Sequence, residues 1–497
     1  MGKSVDDYLL KVVGAGGEMS ALLEQRFAGT LNNSPLVEIL SGGVNGVKTL
    51  TPPAGMLAVV HSLGGNRELT DSRKYAGSAV DRLVRAAESI GATPAGMANV
   101  IDAREGKADL ILPFADGLVE RANHFKLPVL NGELAVLGDR MKADANVSVT
   151  MVSFVPKSAK LPIDKFPSYF KTDLVRFAVF DPEGKPVYMN SDGVGTKTEI
   201  YERAETYRLA FLDSLAMKLD DLVKIGAQAR VVSDVVERNA SENVCWLANS
   251  FRGLGFAGIQ GASDLIYTLQ HEFIGDRLRP RVEGKFTYNV SGSSVSTIDE
   301  DRLKNPLKPS AGEYLIAVKG RLPNGRSNGF TDIRKVMTQM LGENWHETEI
   351  GRRFIVEYLG NPSDVFYPTF RSMIDKGLAT SVYHMSGGGF DGKLARPLAK
   401  HGLFVEVQGL FSPHNVALEI AKYRNTGNES SYAKWPMGNP GFITTGNIGD
   451  SLHMLEENGF EGRVAGLLEK NKEGLTGVRL KGVMNSRFEP VYYSGKD

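Results

Sequence analysis

One succession of elements occurs twice in this chain, and it constrains the fold more than any single residue does. LAVVHSLG at Leu57–Gly64 and VYMNSDG at Val187–Gly193 each read as a strand running into a glycine turn. A helix follows each, ending in Ile-Gly-Ala at Ile90–Ala92 and again at Ile225–Ala227. Next come an apolar strand (AGMANVID, then RVVSDVVE), a helix, and a further strand and turn (LVERANHFKLPVLNGE, then LANSFRGLGFAGIQGA). Each series closes on an alternating strand, VSVTMVSFV at Val147–Val155 and FTYNVSGSSV at Phe286–Val295, the period of half-buried β-structure. A period of about 130 residues is far longer than a solenoid repeat and implies a duplicated domain. Runs rich in Pro, Lys and Ser at Pro156–Pro167 and Asn305–Gly312 read as connections. The expected organisation is a first N-terminal-type domain over 1–160, a second over 161–310, and a C-terminal domain over 311–497. The expected class is α/β (α+β), because strands and amphipathic helices alternate throughout.

Composition narrows the function. Lys plus Arg and Asp plus Glu balance at 58 each, so the basic excess of a nucleic-acid or membrane-surface binder is missing. No stretch approaches the ~20 apolar residues that span a bilayer, and Met1–Leu10 lacks a signal-peptide core. The single cysteine, Cys245, sits in an apolar run and fits a buried residue of a reducing, cytoplasmic compartment. Partners are expected to be small molecules or other copies of the chain.

Several segments carry chemistry. NSDGVGTKT at Asn190–Thr198 frees backbone amides with Gly193 and Gly195, flanked by Asp192, Thr196 and Lys197. Such a turn suits phosphate, with Lys as a point charge and Asp for Mg²⁺, but it lacks the Gly-Lys-Ser/Thr order of a Walker loop and reads equally as a solvated turn. The next helix places Asp213, Asp220 and Asp221 together, as a solvated stripe or a metal-facing row. SVYHMSGGGFDGK at Ser381–Lys393 delivers His384 into Gly387, Gly388 and Gly389 ahead of a helix, a geometry suited to anions. His384 is either an acid or base or a structural cap. The other histidines show no zinc spacing. Ser327, Asn328 and Gly329 form a turn before a helix, and WPMGNPG at Trp435–Gly441 is a second loop.

Taken in order, these segments resemble the aminoimidazole ribonucleotide synthetase (phosphoribosylformylglycinamidine cyclo-ligase) family over roughly residues 185–495. Asp192–Lys197 matches its DGVGTK signature, Met217–Ala227 its MCVNDI…QGA helix with Asp221 at the motif Asp, and Ser327–Gly329 its SNG turn. Asn361–Ser363 resembles its T-P-T loop, and His384–Gly389 matches its H-[IM]-[TS]-G-G-G motif. Tyr432–Gly438 resembles Y-x-x-F-N-M-G, with Trp435 and Pro436 in place of Phe-Asn. The resemblance implies ATP-dependent ring closure of formylglycinamidine ribonucleotide, with ATP and Mg²⁺ as cofactors. It implies catalytic roles for His384, Asp192 and Lys197, and metal binding by Asp192, Asp221 and Asp213. Phosphate would lie on Gly193, Gly195, Thr196 and Gly387–Gly389, with substrate on Ser327, Asn328 and Gly329. It also implies that two N-terminal domains pair as a β-barrel-like sheet flanked by helices, within a homodimer or within one chain. Departures exist: Gln260–Asp264 lacks the Glu of the family's G-G-E, which Glu133 carries in the first repeat, while Leu63 stands where the second repeat has Asp192. The copies look complementary, so Glu133 would complete a single ATP site. Another ATP-dependent member with a different acceptor, and a non-catalytic relative, remain as alternatives.

Overall fold

The computed structural model describes residues 15–40, 47–161, 177–239, 265–282, 286–327, 329–470, 474–482 and 490–495. Cys245, Gln260–Asp264 and Asn328 lie outside the described residues. The chain divides into two compact units, the first of 1–198, 227–253 and 263–304, the second of 199–226, 254–262 and 305–497.

The first unit holds two sheets. Helix α1 (Ala15–Ala28) precedes the paired strands β1 (Val37–Leu40) and β2 (Val47–Leu50). Then come β3 (Met56–Gly64), α2 (Ser72–Ser89), β4 (Thr93–Ala103), α3 (Ala108–His124), β5 (Val129–Val136) and β6 (Ala145–Pro156). The strands β7 (Ala178–Phe180), β8 (Val187–Gly193), β9 (Gln228–Arg238), β10 (Ile266–Phe273) and β11 (Tyr288–Thr297) complete the unit. The first sheet runs β5-β4-β6-β3-β7 and the second β10-β9-β11-β8-β2-β1, so the first four strands of each, counted from β5 and from β10, follow one order. In each, the second and third strands pair in parallel and the fourth lies antiparallel between the second and first. The edges are exchanged: β2, which precedes β3 in the chain, pairs with β8, and β7, which precedes β8, pairs with β3.

Helix α2 starts on an Asp71 side chain that accepts from Lys74 N at 2.9 Å, satisfying one of the amides a helix start leaves open. Its buried Tyr75, Ala76, Ala79, Val80, Leu83 and Ala87 recur at helical spacing and cover one face of the first sheet. The same face of β6 presents Val147, Val149 and Met151. Half-burial is what the alternation in β6 and β11 predicts, and the structure corrects this: both strands are buried on both faces. Their polar positions face the other sheet rather than water. Across the two sheets Ser148 meets Ser291 at 2.9 Å and Ser62 meets Ser233 at 2.7 Å, while within a sheet Ser191 meets Ser293 at 2.8 Å and Ser62 meets Thr150 at 2.7 Å. Small hydroxyls that bond one another satisfy buried polarity at little volume, so the two sheets close around a hydroxyl ladder. An apolar cluster of Val60, Val152, Phe154, Met189, Val231 and Val295 seals one end.

The second unit contains helix α4 (Ala210–Lys224) and a sheet ordered β13-β15-β12-β16-β14-β17-β18. These strands are β12 (Tyr314–Lys319), β13 (Ser381–His384), β14 (Leu403–Val407), β15 (Gly441–Thr445), β16 (Glu461–Lys470), β17 (Gly477–Leu480) and β18 (Val491–Tyr493). Helix α4 is buried nearly all round, Asp213 and Asp220 included, so the solvated-stripe reading of its acids does not hold for those two.

Candidate functional site

Sequence reasoning passed over a buried carboxylate pair in the first unit. Asp102 of β4 pairs in register with Asn146 of β6, and Glu237 of β9 with Asn289 of β11, so the two acids hold equivalent places in the two sheets. The Asn289 amide donates to Asp102 Oδ2 at 2.7 Å and to Glu237 Oε2 at 3.2 Å; Asn146 donates to Glu237 Oε2 at 3.2 Å. Burial, then the Asp102 charge, pushes Glu237 up to about 8. Two arginines from the tripeptides Gly138-Asp139-Arg140 and Gly275-Asp276-Arg277 cross reciprocally between the sheets. Arg140 donates to Thr287 Oγ1 and Tyr288 O, each at 3.1 Å; Arg277 donates to Ala145 O at 2.6 Å and Asn146 Oδ1 at 2.8 Å. The repeated Gly-Asp-Arg was the signal that would have disclosed them.

This pair makes stability depend on pH with a definite sign. Glu237 titrates near 4.5 when unfolded and higher when folded, so the folded state binds the extra proton. Its contribution is fully present below pH 4.5 and is lost as pH rises toward about 8. Between pH 5 and pH 8 the wild-type protein is expected to lose on the order of 3 kcal/mol more unfolding free energy than Glu237→Gln. Urea unfolding of both proteins across that range measures it, and parallel curves would refute it.

The DGVGTK turn lies in the same unit. Asp192 is partly exposed, and its Oδ1 accepts from Gly193 N at 2.7 Å. Gly195 adopts a φ of 64° at the start of a short 3₁₀ turn, Gly195–Lys197. Lys197 is fully buried and already engaged, and Thr196 is buried. Glu133 is partly buried on β5 and shares a strand face with Asn131, whose Oδ1 accepts from Ser191 N at 3.1 Å.

In the second unit, α4 supplies three acids with different fates. Asp213 is fully buried and accepts from the Tyr201 hydroxyl, from Ser363 Oγ and from Ser363 N at 2.9 Å. Those donors engage both carboxylate oxygens, so a metal would have to compete with them for Asp213. Asp220 accepts from Arg326 at 2.9 Å and from Tyr367 N at 2.8 Å; burial pushes it up to about 6 against the pull of Arg326. Asp221 keeps its side chain 26% exposed. Burial works to raise its pKa, but Lys224 at 2.5 Å and His384 hold it well below the usual carboxylate range. Among the described residues no group of three or more His, Cys, Asp or Glu is gathered to hold a metal.

His384 ends β13 with both ring nitrogens occupied: Nε2 lies 2.8 Å from Asp221 Oδ1, and Nδ1 lies 3.1 Å from an Arg326 nitrogen. The ring is 1% exposed, and burial together with the Lys224 charge lowers its pKa well below the usual value. The ring expected as an acid or base or as a structural cap is enclosed, held between Asp221 and Arg326. Beyond it, Gly387 and Gly388 are exposed, while Gly389 must be glycine: its φ is 47° and a Cβ would lie 2.3 Å from Tyr432 O. The SNG and WPMG loops meet, since a Cβ on Gly329 would lie 2.3 Å from the Trp435 indole nitrogen. Ser327 is buried beside them. Arg326, missed in the sequence because nothing in the motif singles it out, is fully buried at a φ of 53°, a left-handed backbone that non-glycine residues seldom adopt.

Residues 49–155 match the family described as AIR synthase related protein, N-terminal domain. That match covers the first sheet, outside residues 185–495 over which the motif resemblance runs. The chain is similar to phosphoribosylformylglycinamidine cyclo-ligase of Clostridium perfringens, 26% identical over 229 residues, 46% of this chain and 64% of that one. It is 25% identical to the Bacillus pumilus protein of that name over 301 residues, 59% of this chain and 84% of the relative. The chain thus spans a little under two thirds of the Clostridium relative. Among solved structures, phosphoribosylformylglycinamidine synthase II of Thermotoga maritima aligns with TM-score 0.37 and 14% identity, covering 62% of this chain and 43% of that one. Thiamine monophosphate kinase of Aquifex aeolicus aligns with TM-score 0.35 and 12% identity, over 60% and 89%. No helix among the described residues is long and apolar enough to cross a membrane.

Proposed function

We propose that this chain, as a relative of the AIR synthase-related proteins, is an ATP-dependent cyclo-ligase that closes formylglycinamidine ribonucleotide to aminoimidazole ribonucleotide, releasing ADP and phosphate. We take it as a duplicated form, its two N-terminal-type domains at 1–160 and 161–310 and its C-terminal domain at 311–497. The observation that carries the reading is the family match at 49–155, a stretch whose strand order recurs in residues 187–297. In this reading the pair of sheets inside one chain would take the place of the two subunits that the resemblance implies.

In this reading Asp192 of the first unit and Asp221 of the second, each a partly exposed carboxylate, would each be available as a ligand to Mg²⁺, which supplies charge neutralisation on the phosphates of ATP. Asp221 suits the task because Lys224 and His384 keep it anionic. Amides of the Gly193–Gly195 turn and of the exposed Gly387–Gly388 turn would bind phosphate groups. Glu133 would complete the nucleotide side from the first sheet, as its strand face toward Ser191 favours. Ser327 and Gly329, with Asn328, would position the ribonucleotide.

ADP release with Mg·ATP and formylglycinamidine ribonucleotide tests the proposal. The wild-type protein is expected to show substrate-dependent turnover that falls by about 10²-fold or more in Asp192→Asn and in His384→Ala. ATP binding with no stimulation of ADP release by the ribonucleotide would overturn it.

A further inference from the structure

Five side chains in the second unit form one continuous line. Asp220 Oδ2 accepts from an Arg326 terminal nitrogen at 2.9 Å, and the same nitrogen reaches His384 Nδ1 at 3.1 Å. His384 Nε2 meets Asp221 Oδ1 at 2.8 Å, and that oxygen also accepts from Lys224 at 2.5 Å. Asp220, Arg326 and His384 are at most 1% exposed, so water does not interrupt the line at these three. Only its far end, with Asp221 and Lys224 about a quarter exposed, opens to solvent.

The chemistry of the two ring partners decides the state of the ring. A guanidinium has donors and no acceptor, so the nitrogen facing Arg326 must carry a lone pair. A carboxylate only accepts, so the nitrogen facing Asp221 must carry the hydrogen. We infer that Arg326 is a positioning residue: it sets His384 as the Nε2–H tautomer and thereby aims that N–H at the Asp221 carboxylate. With the proton placed there, His384 gives one oxygen of Asp221 a fixed hydrogen bond, on a carboxylate whose side chain is partly open to solvent. A ring free to flip would instead offer a lone pair to a carboxylate for part of the time, which repels it.

The cost of the arrangement shows that it is built. Arg326 sits at a φ of 53° with its guanidinium 5.3 Å from the Phe366 ring centroid and donating to Asp364 O at 3.3 Å. Asp220 is tied from its other side by Tyr367 N at 2.8 Å, so the arginine cannot swing away with its counter-ion. A left-handed backbone at a buried, forked arginine persists only where surrounding contacts over-determine it.

The inference rests on the proposed function only for what Asp221 faces; the state of the ring stands apart from it. The experiment is nitrogen-15 NMR of the full chain labelled at its eight histidines, without nucleotide or ribonucleotide. Signals of His384 are assigned by their loss in His384→Gln. The expected wild-type spectrum has a neutral His384 with the proton on Nε2 and a hydrogen-bonded, unprotonated Nδ1. A proton on Nδ1, or on both nitrogens, overturns the inference whatever the enzyme's activity. In Arg326→Met the two signals are expected to move toward each other as the tautomers mix. Because that change strands Asp220, the paired variant Arg326→Met with Asp220→Asn is measured beside it, its fold checked by circular dichroism. Unchanged His384 signals in the folded paired variant would show that Arg326 does not set the ring.

Discussion

Arg140→Leu is expected to lower the stability of the first unit by about 3 kcal/mol, with the unfolding midpoint falling by roughly 6–12 °C. Arg140 is 1% exposed and forks to Thr198 Oγ1 at 2.7 Å, Thr287 Oγ1 at 3.1 Å and Tyr288 O at 3.1 Å. Leucine fills much of the space but leaves those acceptors in a site that water does not reach. Each charge-assisted bond of this kind contributes about 1.5–3 kcal/mol, and relieving the buried charge offsets part of the loss. Arg140→Lys should recover less than half, since a single ammonium cannot span acceptors arranged for a planar fork. Differential scanning calorimetry reads both, and a midpoint shift under 2 °C for Arg140→Leu would mean that the crossing arginines do not tie the sheets together.

Asp213→Leu is expected to cost about 3–5 kcal/mol, enough to leave the second unit marginal or unfolded. The substitution strands the Tyr201 hydroxyl and both donors of Ser363 in a wholly buried place. Asp213→Asn keeps the size and one acceptor oxygen, so it should lose about half as much. This separates a structural carboxylate from the metal ligand that the family resemblance implies. A latch is lost equally with and without Mg²⁺, whereas a ligand would give the wild-type protein an Mg²⁺-dependent rise in midpoint that Asp213→Leu lacks. Guanidinium unfolding with and without Mg²⁺ decides between them.

Much of the fold was legible because its signals are local. Glycine turns after Leu57–Gly64 and Val187–Gly193, and the repeated Ile-Gly-Ala helix ends, mark boundaries by backbone geometry that neighbours cannot override. The burial of β6 and β11 was not legible. Serine and threonine at alternate positions signal water unless another strand, distant in sequence, brings matching hydroxyls, as Ser291 does for Ser148. The site divides the same way. Turns such as Asp192–Lys197 and His384–Gly389 were found by their glycines. What each charged group does there depends on partners far along the chain: Arg326 lies 58 residues from His384, and Ser363 lies 150 from Asp213. No spacing rule reaches so far, so neither the enclosure of His384 nor the three donors on Asp213 could be read from the motifs.

The exchanged edge strands set a timetable for synthesis. β2 leaves the ribosome with residue 50, but β8, against which it pairs, begins only at Val187. At roughly 5–20 residues per second that strand waits on the order of ten seconds with an unpaired edge. The first sheet waits as well, since β3 receives β7 only once residues 178–180 are made. The first sheet is complete at residue 180, when the second has only β1 and β2, and an unpaired edge invites association with any neighbouring nascent chain. A holding chaperone, or a slow stretch of translation after residue 193, would therefore be expected to raise the yield of folded protein more than it would for a chain whose edge strands pair with neighbours made next to them.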